Sequence, residues 1–143
     1  MATQFSVREE LKHSVRILLA EDNPVNQKLA KIMLGKAGYR VEVAQNGKEA
    51  VSKYTGSPAD FDLIFMDIQM PEMDGLEATK AIRKWESENL PTTHNLPIIA
   101  MTAHAMKGDR ETCLEAGMDD YVAKPIKREL VFEMLNNWVF NRK

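Results

Sequence analysis

Short apolar runs alternate with longer stretches of helical periodicity along this chain. VRILLA (15–20), LIFMD (63–67), PIIAMTA (97–103) and YVA (121–123) are apolar runs of strand length. Continuous apolar runs suit strands covered on both faces, as in a parallel sheet. YRVEVAQ (39–45) alternates instead, with Tyr39, Val41 and Val43 set against Arg40 and Glu42. That pattern predicts a strand with one wetter face, at a sheet edge.

Helical patterns lie between these runs. The first begins with Asn23 as N-cap and Pro24 at the first helical position, where both are favoured. Val25, Leu29, Ile32 and Met33 form one apolar stripe on it, expected to face the core, and Gly38 is a stop signal. The second covers roughly Lys48 to Tyr54. The third starts after Asp74, with Glu77 three residues on in a capping-box-like arrangement, and carries Leu76, Ala78, Ile82 and Trp85. The fourth runs from about Lys107 to Ala116 and stops at Gly117. The fifth runs from about Lys127 to Phe140, with Val131, Met134, Leu135 and Trp138 on its core side; Phe140 falls off that stripe and reads as a partner contact or a frayed end. ESENLPTTHNLP (86–97) is a polar, proline-punctuated connection of the kind that forms a mobile loop. Strand then helix, repeated five times, specifies a doubly wound α/β sheet with right-handed crossovers.

Composition narrows the function classes. The 143 residues suffice for one domain with its own core, and 44% hydrophobic with 28% charged residues is ordinary for a globular protein. A formal net charge of -2 points to no general nucleic-acid binder. The single Cys113 excludes an internal disulfide and a cysteine-based metal cluster. No apolar run reaches membrane-spanning length, and MATQFSVREELKHS has no apolar core of a secretory signal. A cytoplasmic location is the expectation. Residues 1–13 read as an extension or linker and 14–143 as the domain.

In an open parallel sheet, ligands bind at the carboxyl ends of the strands. Strand one ends in Glu21 and Asp22, strand three in Asp67 and strand four in Thr102, and strand five is followed by Lys124. Each residue alone has an ordinary explanation: acids that complement a helix dipole, a turn-forming aspartate, a solvated lysine. Together they demand more, because carboxylates at an effective dielectric of 20 and ~4 Å apart repel by about 4 kcal/mol. Such a cluster calls for a cation, and oxygen-only ligands select a hard one, Mg2+ or Mn2+. The ion, Lys124 and the Thr102 hydroxyl would stabilise charge on a transferring phosphoryl group. A carboxylate then serves as nucleophile, and Asp67, ending the central strand, is the best placed.

EDN (21–23), FMDIQMPEMDG (65–75), IIAMTA (98–103) and YVAKP (121–125) together resemble the receiver domain of two-component response regulators, over residues 15 to 140. The wording is most similar to receivers of hybrid histidine kinases. The resemblance implies a flavodoxin-like (βα)5 fold with strand order 2-1-3-4-5. It implies that Asp67 accepts the phosphoryl group and that Glu21, Asp22 and the Gln69 backbone carbonyl hold the metal together with Asp67. Thr102 and Tyr121 form the switch, Lys124 binds the phosphate, Lys124–Pro125 is cis, and Gln69 and His104 tune the phosphoryl lifetime. The donor would be a histidine kinase or histidine phosphotransfer domain. The output would pass to another protein or a fused module rather than to nucleic acid. Such a domain is no conventional enzyme, although it catalyses its own phosphotransfer and dephosphorylation.

Three other readings compete with this one. A flavin mononucleotide binder needs a Ser/Thr/Gly-rich phosphate loop after strand one, where this chain has the acidic AEDNPVNQ. An aspartyl phosphatase needs an acid two residues past its nucleophile, and Gln69 stands there. A degenerate receiver acting only as a docking module would keep the fold without the chemistry.

Overall fold

The apolar runs do form strands in the computed structural model, which describes residues 15–91, 95–103 and 107–140, without the side chains of 107–109. The strands are β1 (Arg16–Ala20), β2 (Arg40–Ala44), β3 (Leu63–Asp67), β4 (Ile98–Thr102) and β5 (Asp120–Ala123). Between and after them come α1 (Pro24–Lys36), α2 (Gly47–Gly56), α3 (Gly75–Asn89), α4 (Lys107–Ala116) and α5 (Arg128–Leu135), with a 3-10 turn at Pro58–Asp60. All pairings are parallel. The sheet order is β2-β1-β3-β4-β5, with the alternating strand at an edge as expected. The 1–13 segment, His104 and Ala105 lie outside the described residues.

Strand alternation divides the core into two layers. Leu18, Ala20, Ile64, Met66, Ile98 and Ala100 pack with α2, α3 and α4 through Ala50, Tyr54, Ala78, Ile82 and Cys113. Ile17, Leu19, Leu63, Phe65, Ile99 and Met101 pack with α1 and α5 through Ala30, Leu34, Val131, Met134 and Leu135. β3 and β4 are buried along their whole length, which is why their sequences carry no alternation.

Caps form where predicted. Asn23 accepts from the Val25 and Asn26 amides at 2.9 and 3.2 Å, and Asp74 accepts from the Glu77 amide at 2.8 Å. Other expectations need correction. Most of the α1 stripe faces outward: Val25, Leu29 and Ile32 are 65%, 61% and 47% exposed, while Met33 packs partly buried on the core beside Ala30 and Leu34. Ala30 is small enough to let the helix backbone lie close to the sheet, and residues 29 and 30 point about 100° apart. α3 extends through Asn89, so Glu86 is not loop but buried helix. α5 ends at Leu135 and continues as a wider turn over Asn136–Phe140. Asn136 and Asn137 are weak helix formers, and the turn lets the Trp138 indole N–H donate to Asp120 at 3.1 Å. Phe140 packs against the core cluster instead of standing away from it.

A buried polar network, invisible as a motif, closes the amino-terminal edge of the sheet. The Tyr54 hydroxyl and the Leu96 amide donate to Glu86 at 2.6 and 3.2 Å. Arg83 bridges Glu86 at 2.9 Å and Asp119 at 2.8 Å. Asp119 also accepts from the Ile98 amide at 2.9 Å, and Arg83 donates to the Gly117 carbonyl at 2.9 Å. Four segments distant in sequence are joined there.

Candidate functional site

The opposite edge of the sheet carries the predicted acids. Three carboxylate oxygens, one each from Glu21, Asp22 and Asp67, lie within 4.8 Å of one another. β1 delivers Glu21 and Asp22 and β3 delivers Asp67, because the two strands pair in register from Ile17 with Leu63 to Ala20 with Met66. Glu21 and Asp67 are buried and Asp22 is exposed. The β1–α1 junction is fixed locally: Glu21 accepts from the Asn23 amide at 3.2 Å, and the Gln27 side chain donates to the Glu21 carbonyl at 2.6 Å.

Lys124 reaches into this cluster from the end of β5. Its ammonium lies 2.8 Å from Asp67 Oδ2 and 3.5 Å from Glu21 Oε1. Burial disfavours the charged ammonium, but the hydrogen bond and attraction of Asp67, with Glu21 adding to both, outweigh it and hold Lys124 above its usual pKa. Glu21 is also pushed up, first by burial and further by Asp67, against the opposing pull of the Asn23 amide and Lys124. The Lys124–Pro125 peptide is cis, as the resemblance implied.

Thr102 ends β4, buried one residue past Met101, the register partner of Asp67. Its carbonyl accepts from the Lys124 amide at 2.7 Å. Thr102 pairs with Ala123 and Ala100 with Tyr121, so Tyr121 lies two residues back on the same sheet face and packs, half-buried, on the α2–α4 layer. The exposed Gln69 donates its backbone amide to Asp67 Oδ1 at 3.3 Å. Acids, lysine and threonine therefore come together at one edge, and Tyr121 stands one step from them.

Glycine makes the close packing there possible. A Cβ on Gly75 would overlap the Asp67 carbonyl oxygen, and the Gly75 amide donates to Ile68 at 2.8 Å. α3 can thus start directly against the end of β3. Sequence reasoning passed over Gln27, Asn46 and Glu72, the residues that hold these loops. Asn46 offered one signal, an N-cap residue just ahead of a helical pattern.

The donor set fits a hard divalent cation. It is all oxygen, three carboxylates face a single ammonium among the described residues, and Asp22 opens the cluster to solvent.

An open parallel sheet with buried acids and a lysine at its strand ends defines a class of phosphoryl- or metal-handling α/β proteins. Within that class, the family model of the response regulator receiver domain matches residues 17–136, and the chain belongs to that family. Receiver domains act in two-component signalling as phosphoacceptors and are not conventional enzymes. Hybrid signal transduction histidine kinase I of Dictyostelium discoideum is 49% identical over 127 residues, 87% of this chain and 7% of that protein. The signal transduction histidine-protein kinase BarA of Escherichia coli is 42% identical over 93% of this chain and 14% of its own length. The chain thus spans a small part of these relatives.

Among solved structures, the receiver domain of sensor histidine kinase PA1611 from Pseudomonas aeruginosa has a TM-score of 0.76 at 43% identity, covering 89% of this chain and 98% of that one. It holds a magnesium ion in its active site cleft. The receiver domain of Ssk1 from Saccharomyces cerevisiae, in complex with the histidine phosphotransfer protein Ypd1, has a TM-score of 0.80 at 32% identity, covering 87% and 88% of the two chains. Among the described residues, no helix is long and apolar enough to cross a membrane.

Proposed function

We propose that this domain takes a phosphoryl group from a phosphohistidine onto Asp67 and passes the change to a partner surface. The observation that carries the reading is the Lys124 ammonium 2.8 Å from Asp67, beside two further carboxylates. An Asp67 oxygen attacks phosphorus, the P–N bond of the donor breaks, and the imidazole leaves with the electron pair and takes a proton. Lys124 holds one Asp67 oxygen and stands ready to follow the charge as it spreads onto the phosphoryl oxygens. Glu21, Asp22, Asp67 and the Gln69 carbonyl would hold Mg2+ or Mn2+, which when bound neutralises phosphoryl charge. Hydrolysis of the acyl phosphate resets the domain, at a rate on which Gln69 and His104 bear.

The donor docks on α1 in this reading. Val25, Leu29 and Ile32 form an outward apolar stripe starting within one turn of Asp22. Beside it, Ala30, Met33, Met101, Lys124 and Ile126 line a cavity of about 490 Å3 that reaches the site. A partner side chain seated there would be adjacent to Lys124. A histidine kinase or phosphotransfer domain that must bring its imidazole to Asp67 suits this surface. The output runs through Thr102: its hydroxyl moves toward the new phosphoryl oxygens, space opens beside it, and Tyr121 turns inward, shifting the α4–β5–α5 surface toward a downstream protein or fused module. The domain would work in the cytoplasm.

Acetyl phosphate and a phosphorylated histidine phosphotransfer protein test this together. Wild type should gain one acid-stable, base-labile phosphoryl group from either donor, only with Mg2+, and Asp67→Asn should gain none. Leu29→Arg should slow transfer from the protein donor and leave acetyl phosphate labelling unchanged. Thr102→Ala should accept phosphate but show weakened amide shifts in α4 with beryllofluoride. Labelling of Asp67→Asn at the wild-type rate would sink the assignment.

A further inference from the structure

The loop between Asp67 and α3 contains a strained turn. The Met73 amide donates to the Pro71 carbonyl at 2.7 Å, closing three residues around Glu72, whose φ is +67°. Glu72 is the non-glycine residue recorded with positive φ among the described residues. A three-residue turn with such a centre is the rare, strained form, and a side chain held there points to an outside constraint.

The constraint comes from the start of α2. Asn46 caps that helix through Oδ1, which accepts from the Glu49 amide at 2.7 Å. Its Nδ2 is thereby aimed away from the helix, and it donates to Glu72 Oε2 at 2.9 Å. The next residue adds a second tie, since the Gly47 amide donates to the Met73 carbonyl at 3.0 Å. A Cβ on Gly47 would overlap that carbonyl oxygen. At its far end the loop is closed by the Gly75 amide on the Ile68 carbonyl.

On the Asp67 side, movement of Glu72 meets two stiff residues. Pro71 has a fixed φ, and Met70, which precedes it, is restricted to extended backbone. With both residues stiff, part of any relaxation of the turn passes on to Gln69. The Gln69 amide is what holds Asp67 Oδ1, at 3.3 Å.

We propose that Asn46 and Glu72 are positioning residues for the cation site. Their side-chain bond holds the strained turn, and through Gln69 it sets the aim of the Asp67 carboxylate. This rests on the function proposed above, in which Asp67 is a metal ligand. A merely structural contact would stiffen α2 and leave cation affinity alone.

Asn46→Asp separates the two roles. Aspartate caps a helix as well as asparagine, so α2 survives, but the donor to Glu72 is replaced by a carboxylate. The variant also adds negative charge, which by itself would favour cation binding, so a loss of affinity cannot be a simple charge effect. Mg2+ titration of backbone amide shifts is the measurement. Asn46→Asp should bind Mg2+ about tenfold more weakly, the scale seen when partners of metal ligands are removed, and its Gln69 amide should shift already without Mg2+. The double variant Asn46→Asp with Glu72→Gln exchanges donor and acceptor at wild-type net charge, and should restore both readings. Glu72→Gly relieves the strain and removes the acceptor, so it should fold and bind weakly. Wild-type affinity in Asn46→Asp, or no rescue in the double variant, overturns the positioning role alone. A wild type indifferent to Mg2+ overturns the underlying reading and this one with it.

Discussion

At the carboxyl ends of the strands Glu21 and Asp67 share one ammonium, Lys124, with Asp22 beside them. At the other edge Glu86 and Asp119 share one guanidinium, Arg83. The lower cluster carries one more acid than its base can neutralise, and the upper carries two more. They differ in how the excess is met. Below, neutral donors fill the acceptors: the Tyr54 hydroxyl and Leu96 amide on Glu86, and the Ile98 amide on Asp119. Arg83 spends its planar fork on both acids and a carbonyl. Above, Lys124 is a single point charge between two acids, and Asp22 stands open to solvent. The lower cluster is closed and serves to hold four segments in register. The upper one is short of positive charge and open, which is the state a cation and a phosphoryl group can complete.

Breaking the lower cluster should have the largest effect on stability and little on chemistry. Arg83→Met leaves two largely buried carboxylates facing each other without their cation. Removing one partner of a buried pair costs about 3–5 kcal/mol, to be read from urea unfolding. The fraction that stays folded should still be labelled on Asp67 by acetyl phosphate. A cost below about 1 kcal/mol, the range of an exposed ion pair, would mean that the network is not the closed structure described.

Magnesium should separate the two edges next. An ion that binds only the folded state at 100 times its Kd stabilises by about 2.7 kcal/mol. Wild type and Arg83→Met should both gain that increment in thermal melts with Mg2+ against a chelator. Asp22→Ala should lose it, and without Mg2+ should be no less stable than wild type, since a repelling charge is gone. A wild-type melt that ignores Mg2+ would erase the distinction between the edges.

How much of each edge was legible follows from where its residues sit in the sequence. The upper acids stand at the ends of apolar runs, where an abrupt carboxylate is conspicuous, and parallel strand order brings them together. The lower residues carry no such signal. Tyr54 and Arg83 look like ordinary helical residues, Glu86 sits in a stretch that reads as loop because prolines follow it, and Asp119 falls between the predicted elements. Only the packed sheet brings them within hydrogen-bonding distance. The α1 stripe shows a related limit. Periodicity finds the apolar face of a helix but cannot say which way it turns, and small Ala30 won the core position over larger Val25, Leu29 and Ile32. The Asn46–Glu72 tie was hidden for a third reason: the left-handed backbone at Glu72 has no glycine or asparagine to mark it.

The smallest effect predicted is also confined to the lower edge. Tyr54 is fully buried and donates to Glu86. Burial first, then that hydrogen bond and the Glu86 charge, push its pKa well above the usual tyrosine value, against the opposing pull of Arg83. A raised folded-state pKa means that the folded protein keeps a proton which the unfolded chain gives up. The stabilisation is therefore full below the unfolded value of about 10 and falls away as pH rises toward the folded value. Between the two the loss approaches ~1.4 kcal/mol per pH unit. Lys124 loses its own contribution at alkaline pH, so the wild-type curve alone cannot isolate Tyr54. The difference between wild type and Tyr54→Phe can. At pH 8 the variant should be less stable by about 1 kcal/mol, one hydrogen bond, because Arg83 and the Leu96 amide still serve Glu86. Above pH 10 that gap should shrink and then reverse, equally with and without Mg2+. Urea unfolding of both proteins at pH 8, 9.5 and 10.5 reads it directly. A gap constant across that range would show that Tyr54 is not the protonated donor that closes the network.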